Sequence, residues 1–425
     1  MENTVETYTK PTSDQLKKYA DLVIEIGVNL QKNQELVINS DVEQADFVHI
    51  IAQSAYEHGS SKVSVIYRDE VFTHLRYQNE SVEKAASIEQ FKIDERNYAL
   101  QSRAATITIL SDDPELFTDI PVEFMAECSR QKNIAYEKYY EAVMKDAIRW
   151  NLIAVPSVNW AKKISPKLDE EQAVNRLWHL IFRTMRLENE DGSEINDPIA
   201  EWKEHQNRLH ARAKKLNEYG FKSLRYKNSL GTDLEVGLPE NYIFQGCGED
   251  ALDGVTFTAN MPTEEIFSAP HKYRVNGKVF ASLPLFYNGT RIENFGFEFK
   301  DGKIINFWAE KGYDVLSHLL DTDEGSHYLG EVALVQYDSP IRNLETLFYE
   351  TLFDENASCH LAIGEAYPSC IEGGTDLTKE ELDKKGLNYS LEHVDFMVGT
   401  ADLNIDGVLP NGDTVPVFRN GSFCF

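Results

Sequence analysis

Between Gly330 and Asp395, ionisable side chains are threaded through stretches that otherwise read as buried strand. Glu331 sits in LGEVALV, Glu355 and His360 in FDENASCHLAIG, and His393 and Asp395 in EHVDFMV. A charged group in such a setting is costly to bury unless it is paired or bound to an ion. The chain is therefore restricted to folds that bring these groups to one another or to a cation. Adding Glu265 from MPTEEIF upstream gives four carboxylates and two imidazoles, a set that suits two divalent cations. The rest of the sequence reads as scaffold for it.

Each residue also has an ordinary alternative. His393 and Asp395, two apart on a strand, face the same side and can reach one ion, or they form an Asp-oriented His in a structural hydrogen-bond network. Glu355 and His360 span a helix end or turn leading into CHLAIG, a spacing that guarantees no common face. Glu331, among apolar neighbours, needs a metal or a buried Lys or Arg. In Thr263-Glu264-Glu265 alternate residues of an extended segment point opposite ways, so one carboxylate can ligate while its neighbour hydrogen-bonds a water; the alternative is a solvated loop pair. Tyr367 in GEAYPS is placed to donate to a developing oxyanion, or is one half-buried tyrosine among 20.

Hard oxygens with imidazoles, and no thiolate cluster, suit Zn, Co or Mn. No His-Glu-x-x-His helix and no GxSxG elbow occurs. Cys359 and His360, adjacent on a strand, point to opposite faces and make no dyad. No GxxxxGK[ST] is present, and the GxGxxA-like run Gly246–Ala251 carries two acids that would repel a pyrophosphate.

A net charge of −28 and a pI near 4.8 disfavour nucleic acid and anionic membrane surfaces as partners. Five cysteines without CxxC spacing read as reduced thiols. The polar, acidic start lacks an apolar signal region, and no apolar run approaches the length of a membrane span, so a cytoplasmic protein is expected.

At 425 residues two domains are expected. Over 1–219, short apolar strands (ELVINS, KVSVIYRD, ATITILS, NLIAVPS) alternate with helices, which predicts an α/β domain with a parallel sheet covered on both faces. Ser13 is expected to cap the first helix, through DQLKKYADLVIEIGVNLQ. A long charged helix ended by Gly220 serves as connector. Over 220–425, hairpins with turns at Leu230-Gly231-Thr232, Asn288-Gly289 and Asp301-Gly302 predict an α+β, antiparallel-rich catalytic domain.

The segments MPTEEIF, EKGYD, YLGEVALV, LFDENASCH, IGEAYP and HVDFMVGT, in this order and spacing, resemble the metallo-aminopeptidases of the aminopeptidase T, aminopeptidase S and PepS type. The resemblance covers essentially the whole chain and is densest from 255 to 410. It implies a two-metal exopeptidase that releases the N-terminal residue of short peptides with a free N-terminus, working as a homodimer around an internal cavity. Carried over by position, the ligands are Glu265, Glu331, Glu355, His360, His393 and Asp395. Tyr367 takes the place of the active-site tyrosine, and Glu264 is the general-base candidate. The competing readings are a metal-dependent amidase or dipeptidase, a non-catalytic metal-stabilised peptide-binding protein, and a glycosidase built on Glu264/Glu265 and Glu331.

Overall fold

The computed structural model describes residues 7–287 and 289–425. Its first half is built on four parallel strands, Glu35–Asp41, Lys62–Arg68, Ala105–Leu110 and Trp150–Ala154, with the first between the second and third. Successive side chains of the central strand enter different cores. Leu36 and Ile38 pack with Tyr19 and Phe47, whereas Val37 packs with Ala99, Tyr139 and Ile148. Helices Ser13–Leu22 and Ala45–Glu57 therefore cover one face, and Gln90–Ser102 and Val122–Met144 the other, as the apolar runs predict. The first helix is capped by Thr12 rather than Ser13. Gln15 lies three residues after Thr12 and returns the hydrogen bond to its backbone, completing a capping box; a cap at Ser13 would put Leu16 there, which has nothing to return.

The second half is antiparallel. Eight strands form one sheet that includes the Ser223–Lys227/Asp233–Gly237 hairpin and the Gly296–Lys300/Lys303–Trp308 hairpin. Asp301 and Gly302 turn the latter with φ of 50° and 87°, the left-handed pair a tight hairpin asks for. Strands Leu285–Tyr287 and Thr290–Ile292 also pair, though Asn288 of their expected turn lies outside the described residues. Five further strands make a second sheet in the order His393–Met397, His360–Gly364, Leu329–Leu334, Ile266–Ser268, Gln245–Gly246.

The register of this second sheet decides where the ionisable groups point. Glu331 is opposite Ala362, which is opposite Asp395; Ala333 is opposite both Phe267 and His360; Gly364 is opposite His393. Opposed residues share a face, as do residues two apart, so Glu331, His360, His393 and Asp395 all project from one side. Val332, Leu361, Val394 and Phe396 project from the other into the main apolar core. Ala333, Ala362 and Gly364 keep the ionisable side open. Gly364 has φ of 110°, and a Cβ there would lie 1.9 Å from the Glu392 carbonyl oxygen, so the closing of this row requires glycine.

The halves are joined along the edge of the parallel sheet. The Leu152 N–H donates to the Ala259 carbonyl (2.7 Å) and the Met261 N–H to the Leu152 carbonyl (3.0 Å), so a segment of the second half is added to the sheet of the first. Asn151 Nδ2 holds the Thr258 carbonyl at 2.7 Å. This seam aims the next residues, Thr263-Glu264-Glu265, at the site. Helix Pro198–Tyr219, capped by Asp197 and closed by Gly220, buries Trp202, His205, Leu209, Ala213 and Leu216 along one face behind the same segment. One apolar core runs continuously through both halves. All five cysteines are free, and no helix among the described residues is long and apolar enough to cross a membrane.

Candidate metal centre

Six of the groups singled out from sequence line one buried cavity of about 290 Å³, together with Tyr367. His360 Nε2 lies 2.9 Å from Glu265 Oε2 and 3.5 Å from Glu331 Oε1. His393 Nε2 lies 3.5 Å from Glu331 Oε2 and 3.6 Å from Asp395 Oδ2. The two oxygens of Glu331 are thus divided between two imidazoles. Two triads result, Glu265–Glu331–His360 and Glu331–His393–Asp395, each able to offer one ligand atom apiece within 4.8 Å of the others. Glu355 lines the cavity but stands outside both triads; its Oε1 accepts from Asn356 at 3.4 Å.

The imidazoles are oriented from behind. His360 Nδ1 meets the carbonyls of Glu355 and Ser358 at 3.0 Å each, and His393 Nδ1 meets the Glu365 carbonyl at 2.8 Å. A carbonyl only accepts, so each Nδ1 carries a proton and donates it. Each Nε2 is thereby turned into the carboxylates, the outer-shell arrangement usual for metal-ligating histidines.

The residues fit divalent cations. Among the described residues no lysine or arginine lines the cavity, and Asp395 Oδ1 is buried with no hydrogen-bond partner among them. Burial pushes the carboxyls of Glu265, Glu355 and Asp395 upward, with their mutual repulsion adding to it. Burial acts the same way on Glu331, but hydrogen bonds from His360 and His393 overcome it and hold the group at about 2. Burial alone would depress both imidazoles; the surrounding carboxylates instead raise His360 well above its ordinary value and His393 to about 10. A cluster that retains protons this strongly has more negative charge than the protein neutralises, and divalent cations displace such protons on binding.

Glu264 departs from the expected arrangement. Its carboxylate turns away from the cavity and accepts from Arg186 Nη2 at 2.6 Å, with His205 Nε2 at 3.8 Å from its other oxygen. Burial would raise this carboxyl, but the guanidinium holds it below the ordinary range. A buried carboxylate committed to an arginine outside the cavity has neither the reach nor the basicity for a general base, so that expectation does not fit the geometry.

Tyr367 rests against Phe267 and, edge to face, against His393, with ring centroids 5.7 and 5.2 Å away. Burial, reinforced by Glu331 and Asp395, raises its phenol well above the usual value, so it keeps its proton and is a donor.

Three acidic residues of the wall were not singled out from sequence: Asp146, Glu249 and Glu350. None sits in a strongly apolar run, the one signal that exposed the others. Burial raises Asp146 to about 7, and Glu249 and Glu350 to about 8, with neighbouring acids contributing. A larger cavity of about 890 Å³ lies behind the turn Asp354–Ala357, lined by Arg176, Arg183 and Arg342, and holds none of the ligand candidates.

With this geometry in place, comparison with known proteins is direct. The family described as thermophilic metalloprotease (M29) matches residues 12–423. Aminopeptidase AmpS of Bacillus subtilis (strain 168) is 42% identical over 413 residues, spanning 97% of this chain and 99% of that protein. Aminopeptidase 2 of Geobacillus stearothermophilus is 42% identical over 411 residues, 97% and 98% of the two chains. The solved structure of wild-type AmpT from Thermus thermophilus superposes with a TM-score of 0.88 at 37% identity, covering 97% of this chain and 99% of that one.

The acidic wall sets a pH dependence. Asp146 and Glu249 bind their protons more tightly folded than unfolded. Their contribution to stability is complete below about pH 4 and is lost as pH rises through about 7 and about 8. Chelator-treated protein should therefore show a smaller drop in Tm between pH 5 and 8.5 for Glu249→Gln than for the parent. Equal drops would remove Glu249 from this account.

Proposed function

Because the chain belongs to the M29 family of thermophilic metalloproteases and is a metal-dependent aminopeptidase, we propose that its centre holds two divalent cations and cleaves the N-terminal bond of short peptides. The observation that carries this reading is the pair of triads sharing Glu331. Glu265 and His360 would hold one cation, His393 and Asp395 the other, Glu331 both, with Glu355 completing the set. Zinc, cobalt and manganese all suit these donors. Bound there, such cations supply a Lewis acid for the scissile carbonyl and generate a nucleophile from water near neutral pH.

The protein's own groups do the rest. Tyr367, held protonated, donates to the oxyanion that develops on the scissile carbonyl. Asp146, Glu249 and Glu350 present negative charge to the substrate's free α-ammonium group, and the absence of lysine and arginine from the lining leaves it unopposed. A buried cavity of about 290 Å³ accepts an extended chain end and excludes a folded one. An amidase substrate without a free amine would have no use for this acidic wall, and a dipeptidase would also need a cationic side chain for its substrate's C-terminal carboxylate, which the described lining lacks.

A second copy of the chain is proposed as partner. Strand Lys62–Arg68 is an outer strand of the parallel sheet, and helix Glu70–Asn79, which follows it, buries no residue. Val71 and Phe72 on that helix are 50% and 60% exposed, and Phe91 is 65% exposed. Exposed apolar groups near a sheet edge are suited to self-association. Sedimentation velocity should give a dimer that Phe72→Glu weakens; a parent that sediments as a monomer at micromolar concentration would remove the proposal.

For the activity, chelator-stripped protein should be inert on aminoacyl-arylamides, recover with zinc, cobalt or manganese, and fail throughout on N-acetylated substrates. His393→Ala should neither retain metal nor recover. Turnover indifferent to complete metal removal would sink the reading. Tyr367→Phe should lower kcat about 100- to 1000-fold, the usual loss for one oxyanion donor, with metal content unchanged; an undiminished kcat would take Tyr367 out of the chemistry.

A further inference from the structure

Behind the cavity, three buried or nearly buried side chains from distant parts of the chain converge on the dipeptide that precedes Glu265. Arg186 Nη2 donates to Glu264 Oε1 at 2.6 Å and to His205 Nδ1 at 3.0 Å. With Nδ1 accepting, His205 carries its proton on Nε2, and it donates this to the Thr263 carbonyl at 2.8 Å. From the other side Asn356 Oδ1 accepts the Glu264 backbone N–H at 2.7 Å. Asn356 is fully buried; its Nδ2 donates to the Leu352 carbonyl at 2.9 Å and reaches Glu355 Oε1 at 3.4 Å. Arg186 is fixed in turn over the Trp202 ring, 5.0 Å from its centroid, and Trp202 donates to the Met185 carbonyl at 2.7 Å.

We propose that Arg186, His205 and Asn356, acting on Glu264, form a bracket of positioning residues that sets the direction of Glu265 and links it to Glu355. The bracket grips three polar handles of the segment just before it enters the cavity: the Thr263 carbonyl, the Glu264 carboxylate and the Glu264 N–H. Glu265 follows as the next residue, facing the opposite way, and so enters the cavity with its backbone already fixed. Asn356 grips this backbone and the Glu355 side chain with one amide, which couples two cation ligands carried by separate elements. Glu264 is then a tether whose carboxylate serves Arg186, and its place beside a ligand reflects that duty. Outer-shell contacts of this kind typically contribute about 10- to 100-fold to metal affinity or activity.

The inference rests on the two-cation reading above, and its test separates the two. Cobalt(II) is titrated into the stripped full-length protein, followed by calorimetry and by the visible absorption bands of the bound ion. A parent that binds no cobalt would overturn the cation reading itself. Given a parent that binds, Arg186→Gln and Asn356→Ala should each weaken cobalt affinity about 10- to 100-fold and shift the absorption bands. Arg186→Lys, which keeps the charge but not the forked donor, should fall between. Glu264→Gln, which still offers an oxygen to Arg186, should weaken affinity by only a few-fold. Far-ultraviolet circular dichroism identifies any variant that does not fold, and Arg186→Lys and Glu264→Gln keep the test valid should Arg186→Gln be one. Unchanged affinity and spectrum in Arg186→Gln and Asn356→Ala would overturn the bracket. So would a Glu264→Gln variant with full affinity and unchanged KM whose kcat has fallen 100-fold or more, the behaviour of a lost general base.

Discussion

Concentrating four carboxylates and two imidazoles around one cavity, two of the carboxylates and both imidazoles on a single sheet face, with no lysine or arginine among the described lining residues, is the constraint from which the rest of this structure follows. Such a face is unfavourable unless positive charge is supplied. Everything around it limits that cost or prepares for the cations that remove it. Backbone carbonyls turn both imidazoles so that Nε2 points inward. Glu331 divides its oxygens between them. Small residues at 333, 362 and 364 hold the face open, while the opposite face contributes large apolar groups to the core.

The cavity belongs to neither half alone. Leu110, Asp146, Trp150 and Leu152 close it from the parallel sheet and the turn after helix Val122–Met144, while the second half contributes the candidate cation ligands. The seam at residues 258–261 makes this possible, because it adds the chain before Glu265 to the edge of the parallel sheet. Trp160 Nε1, from the first half, holds the Phe348 carbonyl at 2.6 Å and so steadies the stretch leading to Glu355.

The strong negative charge of the chain has a local as well as a global side. Most of the acids are exposed, and many form surface pairs with lysine or arginine that contribute little. The functional part of the acidity is the buried part, where desolvation turns carboxylates into proton-holding or cation-holding groups. Only there does the sign of the charge bear on what enters.

Much of the site was legible in the chain because strand alternation is local. Glu331 in LGEVALV and His393 and Asp395 in EHVDFMV stand out against apolar neighbours, and a period of two predicts that His393 and Asp395 share a side. The same period foretells that Glu264 and Glu265 part company. The fold class was legible for the same reason, since apolar strands between helices differ in pattern from hairpins with Asp-Gly turns. The expectation of six ligands, including Glu355, came from the ordered motifs and their resemblance to a family; spacing alone left Glu355 open. What the sequence could not contain is the partner of each group across long separations. Arg186 lies 78 residues from Glu264, and nothing local marks it as the cation that pairs with the Glu264 carboxylate. Asp146 and Glu249 are polar residues in polar stretches until packing buries them. The chain by itself determined which groups must be neutralised and which face of a strand they occupy, because those depend on residue type and neighbouring geometry. Only the tertiary structure decided which charges meet, because that depends on the close approach of segments the sequence keeps far apart.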